Sequence, residues 1–444
     1  MKIIIFLLTM ILINKFAFSN EVEIINLHET KSLDKIVLDK LNNIDNNNTD
    51  TIDNESLDQQ EEDTSKKQNS TEVQIDTEED SIYELNFWQN VNPADLEIYL
   101  KNTQNIKSEI LKTEFSVFLE NISLDYNDDK NRKIFYSIVK HFYNSGNISK
   151  AYKLINSRDV SGDNNFAFYK IIELNYLLST FQLEEVCNLK NEVSINKKFD
   201  NYIMEKIDIF CLVMNEKLLE ADLLNSILLE SEIKIDLNFQ NLYHVLLGQK
   251  NEMKDEKNIF PEKINRDLIF LYSAMSRISE IPLNENFFNV DMKNLAIPII
   301  LNQSSPISLR IKAANNSFYN NNLSVESLAA LYQSIDFDSS QLNNPSKTIS
   351  SELANIELLM AFHYQLINIQ IFPSDRIKAL KKFWEFASAN NLEEIAYALS
   401  NNILQSIEFN SENMNYAPQI ATSYIYNRDY DKALQWINLY EQNN

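Results

Sequence analysis

Glycine is almost missing from this 444-residue chain. Gly146, Gly162 and Gly248 are the three that occur, with eight prolines, where average usage would give roughly thirty and about twenty. Rossmann folds, phosphate loops, nucleophile elbows and β-hairpins all need glycine where the backbone takes a positive φ or closely approaches a ligand. Their scarcity excludes those architectures and leaves an all-α fold. Cysteine is equally sparse, limited to Cys187 and Cys211, 24 positions apart. Both lie among apolar helical residues, so they read either as small hydrophobes or as a disulfide pair.

Positive charge is also short. Forty Lys and Arg face sixty-four Asp and Glu, a formal net charge of −24. Residues 21–85 alone hold nineteen acidic side chains against five lysines. Nucleic acids and anionic lipid surfaces call for clustered Lys and Arg, so this balance argues against both as partners.

Against these absences stand three compositional zones. Residues 1–19 open with Lys2, continue through an apolar run from Ile3 to Ile13, and end in Ala17-Phe18-Ser19. That is the pattern of a cleaved signal peptide, and the run falls short of the ~20 residues a membrane helix needs. It implies a periplasmic or secreted protein with no membrane span after cleavage. Residues 20–82 form an acidic leader with too little apolar content to offset ordering entropy, so disorder is expected. Within it, Leu33, Val37, Leu41 and Ile44 are spaced for a short amphipathic helix over Ser32–Ile44. From residue 83 onward, aliphatic and aromatic residues recur at helical spacing. Asn92-Pro93 and Ser305-Pro306 read as helix starts, Ser374 before Asp375 as an N-cap, and the apolar run 356–372 as one buried helix.

The segment ATSYIYNRDYDKALQWINLY, residues 421–440, carries the clearest pattern. Ala421, Tyr424, Tyr430, Ala433 and Ile437 resemble the tetratricopeptide repeat: a small residue and an aromatic on the first helix, an aromatic at the turn, and alanine where the second helix crosses. Weaker copies follow the same order. They are Phe142, Ile148, Ala151, Ile155; then Leu177, Leu183, Val186, Leu189; then Leu212, Leu218, Ala221, Leu224. The crossing positions Ala151, Val186 and Ala221 repeat every 35 residues. Between about 260 and 410 this register is not visible, and the segment is similar to uncharacterised exported helical proteins of α-proteobacteria, from which no activity follows.

The resemblance implies a right-handed α-solenoid of helix-turn-helix hairpins. It would be arranged as TPR-like hairpins over 83–255, irregular solenoid over 256–410 and a terminal TPR-like hairpin over 411–444. Such repeats bind proteins or peptides, so an envelope protein or peptide is the expected partner. Trp436 and Tyr426 of the last hairpin are the candidate partner-binding residues. No polar capping helix follows that hairpin, which leaves it as a surface for homo-oligomer contact.

Catalytic motifs give little. His28, His141, His244 and His363 form no metal-ligand spacing, and His363, on an apolar helix, reads as a core histidine. Ser194 and Lys197 match SxxK, but the accompanying motifs are absent, Lys347-Thr348-Ile349 lacking the needed glycine. Glu184-Glu185 and Glu393-Glu394 are adjacent on helices and diverge by about 100°. Soluble lytic transglycosylases also join a helical superhelix to export, yet their lysozyme-like catalytic domain has no counterpart here. The expectation is therefore a protein without catalytic residues, cofactor or metal. A glycan-processing or glycan-binding protein with a helical cleft is the alternative.

Overall fold

The computed structural model describes residues 88–103, 108–193, 201–231, 235–249 and 259–443. The stretches expected to form a signal peptide, an acidic leader and a short helix over Ser32–Ile44, and the Ser194–Lys197 motif, lie outside them.

Among the described residues every regular element is helical. The principal helices are α1 (Pro93–Thr103), α2 (Glu109–Glu120), α3 (Asp129–Asn144), α4 (Ile148–Asn156), α5 (Phe166–Ser179) and α6 (Leu183–Val193). Next come α7 (Asn201–Met214), α8 (Leu218–Ser231), α9 (Leu237–Leu246), α10 (Ile269–Ile278), α11 (Ala296–Leu301) and α12 (Ile307–Tyr319). The last are α13 (Val325–Gln333), α14 (Ile356–Asn368), α15 (Pro373–Ala389), α16 (Glu393–Leu404), α17 (Ala417–Tyr426) and α18 (Tyr430–Asn443). Sequential neighbours pack on one another from α3 to α8 and again from α9 to α18. Other pairings skip one or more neighbours, such as α1 with α3, α12 with α14 and α13 with α16, and one of longer range sets α10 against α5.

The hairpin turns share one backbone device. Gly146, Phe181, Glu216, Gly248, Glu280, Asn321, Asn391 and Arg428 all have positive φ and sit just past a helix end. In each case the following N–H donates to the carbonyl five positions back, as Asn147 does to Phe142 at 2.8 Å, Gln182 to Leu177 at 2.9 Å and Asp429 to Tyr424 at 2.9 Å. This closure satisfies carbonyls that a helix end would leave unpaired. At Gly146, Phe181, Glu216, Asn391 and Arg428 the next helix begins two residues later.

Five residues after each of those turns stands a small side chain at the crossing. Ala151, Val186, Ala221 and Ala396 are fully buried, and Ala433 nearly so. A small side chain there lets the paired backbones approach, so the backbone turn and the crossing residue form one structural unit. The unit recurs at Asn391 and Ala396, and its turn at Glu280 and Asn321, all inside the region where the sequence register is not visible. Only two of the eight turns use glycine, which is how the fold manages with so little of it.

Two helix boundaries differ from the sequence reading. The run 356–372 is not one helix: α14 stops at Asn368, and Ile371 and Phe372 are exposed at 83% and 66% in the link to α15. Ser374 is not the N-cap of α15, because Pro373 already occupies its first turn and Phe372 the cap position. Proline's fixed φ and missing N–H suit the first helical position, so the helix starts ahead of the serine. Cys187 on α6 and Cys211 on α7 are joined by a disulfide, with Cα atoms 5.6 Å apart.

Candidate functional site

Three turns converge to build a groove. The α3–α4 turn is held against the segment before α11 by Asn294, whose side-chain amide donates to the Tyr143 carbonyl at 3.1 Å. It is held against the α12–α13 turn by Asn322, which donates to the Gly146 carbonyl at 2.7 Å. On the far side, the Tyr319 hydroxyl reaches the Asn391 carbonyl at 3.4 Å. Residues more than a hundred positions apart in sequence are thereby brought to one surface.

One end of the groove is a pocket of about 150 Å³ lined by Lys112, Lys150 and Lys293 together with Thr113, Ser116, His141 and Asn147. No carboxylate lines it. Lys150 is partly neutralised, pairing with Glu120 at 2.6 Å and donating to the Ser116 hydroxyl at 2.7 Å. Among the described residues, no carboxylate ion-pairs with Lys293. Burial, with Lys293 close by, pushes the His141 imidazole down to about 4, against a weaker upward pull from its hydrogen bond to the Leu100 carbonyl. His141 is therefore neutral near pH 7, and the pocket's positive charge comes from the lysines.

The other end is aromatic. Phe318, Tyr319, Ile425, Tyr426 and Tyr430 border a cavity of about 340 Å³, with Glu394 and Arg428 at its margin. Thr113, Tyr319 and Asn321 line both cavities, making them one continuous groove. Burial, with Glu394 and Glu393 nearby, raises the Tyr319 phenol to about 12, so it stays protonated and available as a donor.

The sequence candidates separate here. Tyr426 lines the groove, half-buried beside Tyr397 at a ring separation of 6.4 Å. Trp436 does not. It is 4% exposed and packs edge-on against Phe409 at 5.1 Å, because its position on α18 faces back into the hairpin. Tyr430, the aromatic at the turn of the repeat pattern, is 56% exposed and borders the groove. Leu218, a position of one weaker repeat copy, is 45% exposed. The lysine end escaped sequence reading altogether, since Lys112, Lys150 and Lys293 are far apart and sit in no motif. His363 is a core residue, 6% exposed and 5.0 Å from the Phe386 ring.

Among the described residues no group of His, Cys, Asp or Glu could hold a metal ion, and no helix is long and apolar enough to cross a membrane. The chain matches no protein-family profile, no curated protein and no solved structure.

Proposed function

We propose that the chain is an exported TPR-like α-solenoid that binds a protein partner through this groove. The ligand is an extended segment of that partner, with a carboxylate at the lysine end and an aromatic or large aliphatic side chain at the tyrosine end. The carrying observation is the polarity of the groove. A chain of net charge −24 gathers three lysines at one end, Lys150 among them partly neutralised by Glu120, in a pocket whose lining includes no carboxylate, next to a wall of tyrosines. Charge-assisted contacts would fix the orientation of the segment and the aromatic wall would supply most of the contact area. The recurring turn and crossing geometry supports the repeat assignment, and the Cys187–Cys211 bond fits an oxidising compartment such as the periplasm.

The test is fluorescence anisotropy with a library of labelled acidic-aromatic peptides against the full-length chain. Lys293→Glu and Tyr426→Ala should each weaken the best peptide by about tenfold or more, a cost of ~1.4 kcal/mol, with circular dichroism unchanged. Equal binding by wild type and both variants would remove the groove from consideration. Cleavage of a glycan would instead call for two converging carboxylates, and the groove is lined by one, Glu394.

A second reading has its own observation. Leu434, Ile437 and Tyr440 are exposed along α18, and Leu219, Leu223 and Ile227 form a stripe on α8, with Leu219 87% exposed. Exposed apolar stripes of this kind mark association surfaces. Sedimentation that shows monomer for wild type at high concentration would exclude self-assembly through them, whereas oligomers dispersed by Leu434→Lys would support it.

A further inference from the structure

A second groove shares no lining residue with the first, and we infer that it binds a neutral oligosaccharide. A cavity of about 760 Å³ and another of about 280 Å³ both have Asn284 in their walls, which makes them continuous. Each is large enough to enclose part of a small organic ligand, and the larger lies within the usual range for such sites.

The walls are held in place by contacts of the fold itself. Asn238 of α9 grips the Glu262 backbone twice, accepting from its N–H at 3.3 Å and donating to its carbonyl at 3.4 Å. Asn241, one turn further along α9, donates to the Ile259 carbonyl at 3.2 Å. The Ser305 hydroxyl accepts from the Leu283 N–H at 2.9 Å, and Lys312 of α12 pairs with Glu285. The stretches around 260 and 284 are thereby anchored to α9 and to the start of α12.

Asparagine sets the chemistry of the wall. Asn265, Asn284 and Asn355 each accept a backbone N–H on the carboxamide oxygen, from Asp267 at 3.1 Å, Phe287 at 2.9 Å and Leu358 at 3.0 Å. That role fixes which end of each carboxamide is the oxygen. It leaves the NH2 ends, each with two donors, without a hydrogen bond among the described residues. Asn286, exposed on the same wall, keeps both ends of its carboxamide. Glu262 and Glu357 add carboxylate acceptors. A hydroxyl both donates and accepts, so a wall offering amide donors beside carboxylate acceptors matches a ligand rich in hydroxyls.

Charge narrows the choice further. Lys263, Arg266 and Lys312 are matched in number by Glu262, Glu285 and Glu357 along the groove. Arg266 is already engaged by Asp291 at 3.0 Å and Lys312 by Glu285. Neither a phosphate nor a cationic ligand gains much from such a balance, and a neutral ligand loses nothing. Phe260, Ile264 and Val290, half-buried in the larger cavity, supply an apolar patch for the C–H face of a sugar ring. An extended peptide also uses carboxamides, but its affinity is concentrated in apolar and aromatic anchors, and in both cavities polar side chains outnumber apolar ones.

The test titrates maltotetraose, cellotetraose and chitotetraose against the full-length chain, read by saturation-transfer NMR, and at least one of the three should bind. Asn284→Ser keeps a capping oxygen while removing the amide donors. With the thermal melt unchanged, it should weaken that probe by about fivefold to tenfold, the loss expected for one or two hydrogen bonds. Asn286→Ala, at an exposed position that caps nothing, should act in the same direction. Silence of all three probes overturns the inference, and so does a probe whose affinity neither substitution changes. Loss of acidic-aromatic peptide binding in these two variants would overturn it as well, by making this groove the peptide site. The Lys293→Glu and Tyr426→Ala titrations report on the first groove, so the two readings can fail separately.

Discussion

The Lys206 ammonium lies 3.6 Å from the Asp236 carboxylate and 3.4 Å from the centre of the Tyr202 ring, and none of its side chain is exposed. The carboxylate does more than neutralise it. Asp236 accepts hydrogen bonds from Tyr272 at 2.5 Å and Tyr202 at 3.1 Å, and it caps α9 through the Phe239 N–H at 3.0 Å. One side chain thus ties α7, α9 and α10 together. Removing it takes away the carboxylate that faces a fully buried ammonium, so Asp236→Ala should cost about 3–5 kcal/mol of stability. Lys206→Met should cost clearly less, because the carboxylate keeps three donors. Urea denaturation of the two variants makes the comparison, and equal losses would show that the ammonium, not the hydroxyls, holds the site.

The left-handed turns give opposite expectations at different positions. Glu216 is exposed with φ 59°, and L-residues in this region carry strain of roughly 1–2 kcal/mol. Glu216→Gly should therefore raise stability by about 0.5–1 kcal/mol after the entropy of glycine in the unfolded chain is counted. Phe181→Gly should not, since the Phe181 ring holds the Arg277 guanidinium at 4.2 Å and so links the α5–α6 turn to α10. Gly146→Ala should be destabilising on two grounds, a φ of +89° and a new Cβ only 2.6 Å from the Lys293 Cβ. Gly248→Ala meets open space and adds backbone strain alone. Thermal melts of the four variants should rank Glu216→Gly highest and Gly146→Ala lowest.

Acid should weaken the fold through its buried imidazoles. Burial, with Lys382 adding repulsion, lowers His363 to about 4, against about 6.5 in the unfolded chain. Between those values the unfolded state binds the proton and the folded state does not. Stability is therefore complete above about pH 6.5 and falls as pH drops toward 4, by about 3 kcal/mol for His363 over the full window. His363→Phe should flatten this part of the stability-pH profile measured by urea melts. An unchanged slope would mean that His141 and other groups carry the acid sensitivity.

Loss of the disulfide should be felt globally. The bond closes a loop of 24 positions between α6 and α7, worth about 3 kcal/mol in the chain-entropy account. A Cys187→Ala, Cys211→Ala variant should melt lower than wild type under oxidising conditions and should be indifferent to reductant. A variant that melts with wild type would assign the pair no role in stability.

The helical class was readable because a chain with three glycines has few alternatives, and Ala151, Val186 and Ala221 kept their 35-residue spacing. The later turns were hidden for a physical reason. The repeating feature is a backbone conformation, and Glu280, Asn321 and Asn391 adopt it without a residue type that announces it. Trp436 was misplaced because aromatic identity does not say which side of α18 faces the hairpin. The lysine end depends on α2, α4 and the segment before α11 meeting in space, and local periodicity has no access to that. Tyr426 lines the groove because it stands at the end of α17, beside Tyr430 and Arg428 of the following turn and helix.

The pairing of α5 with α10 has a mechanical corollary. Linear repeat arrays can lose units from either end while the remainder stays folded, since each unit depends only on its neighbours. Here the stretch from α5 to α10 is closed on itself by that pairing, and the clasp of Asn294 and Asn322 on the α3–α4 turn makes a second closure around it. Pulled from its two termini, the molecule should resist until the clasp gives and then yield in one large step, where a linear array would unzip in small ones.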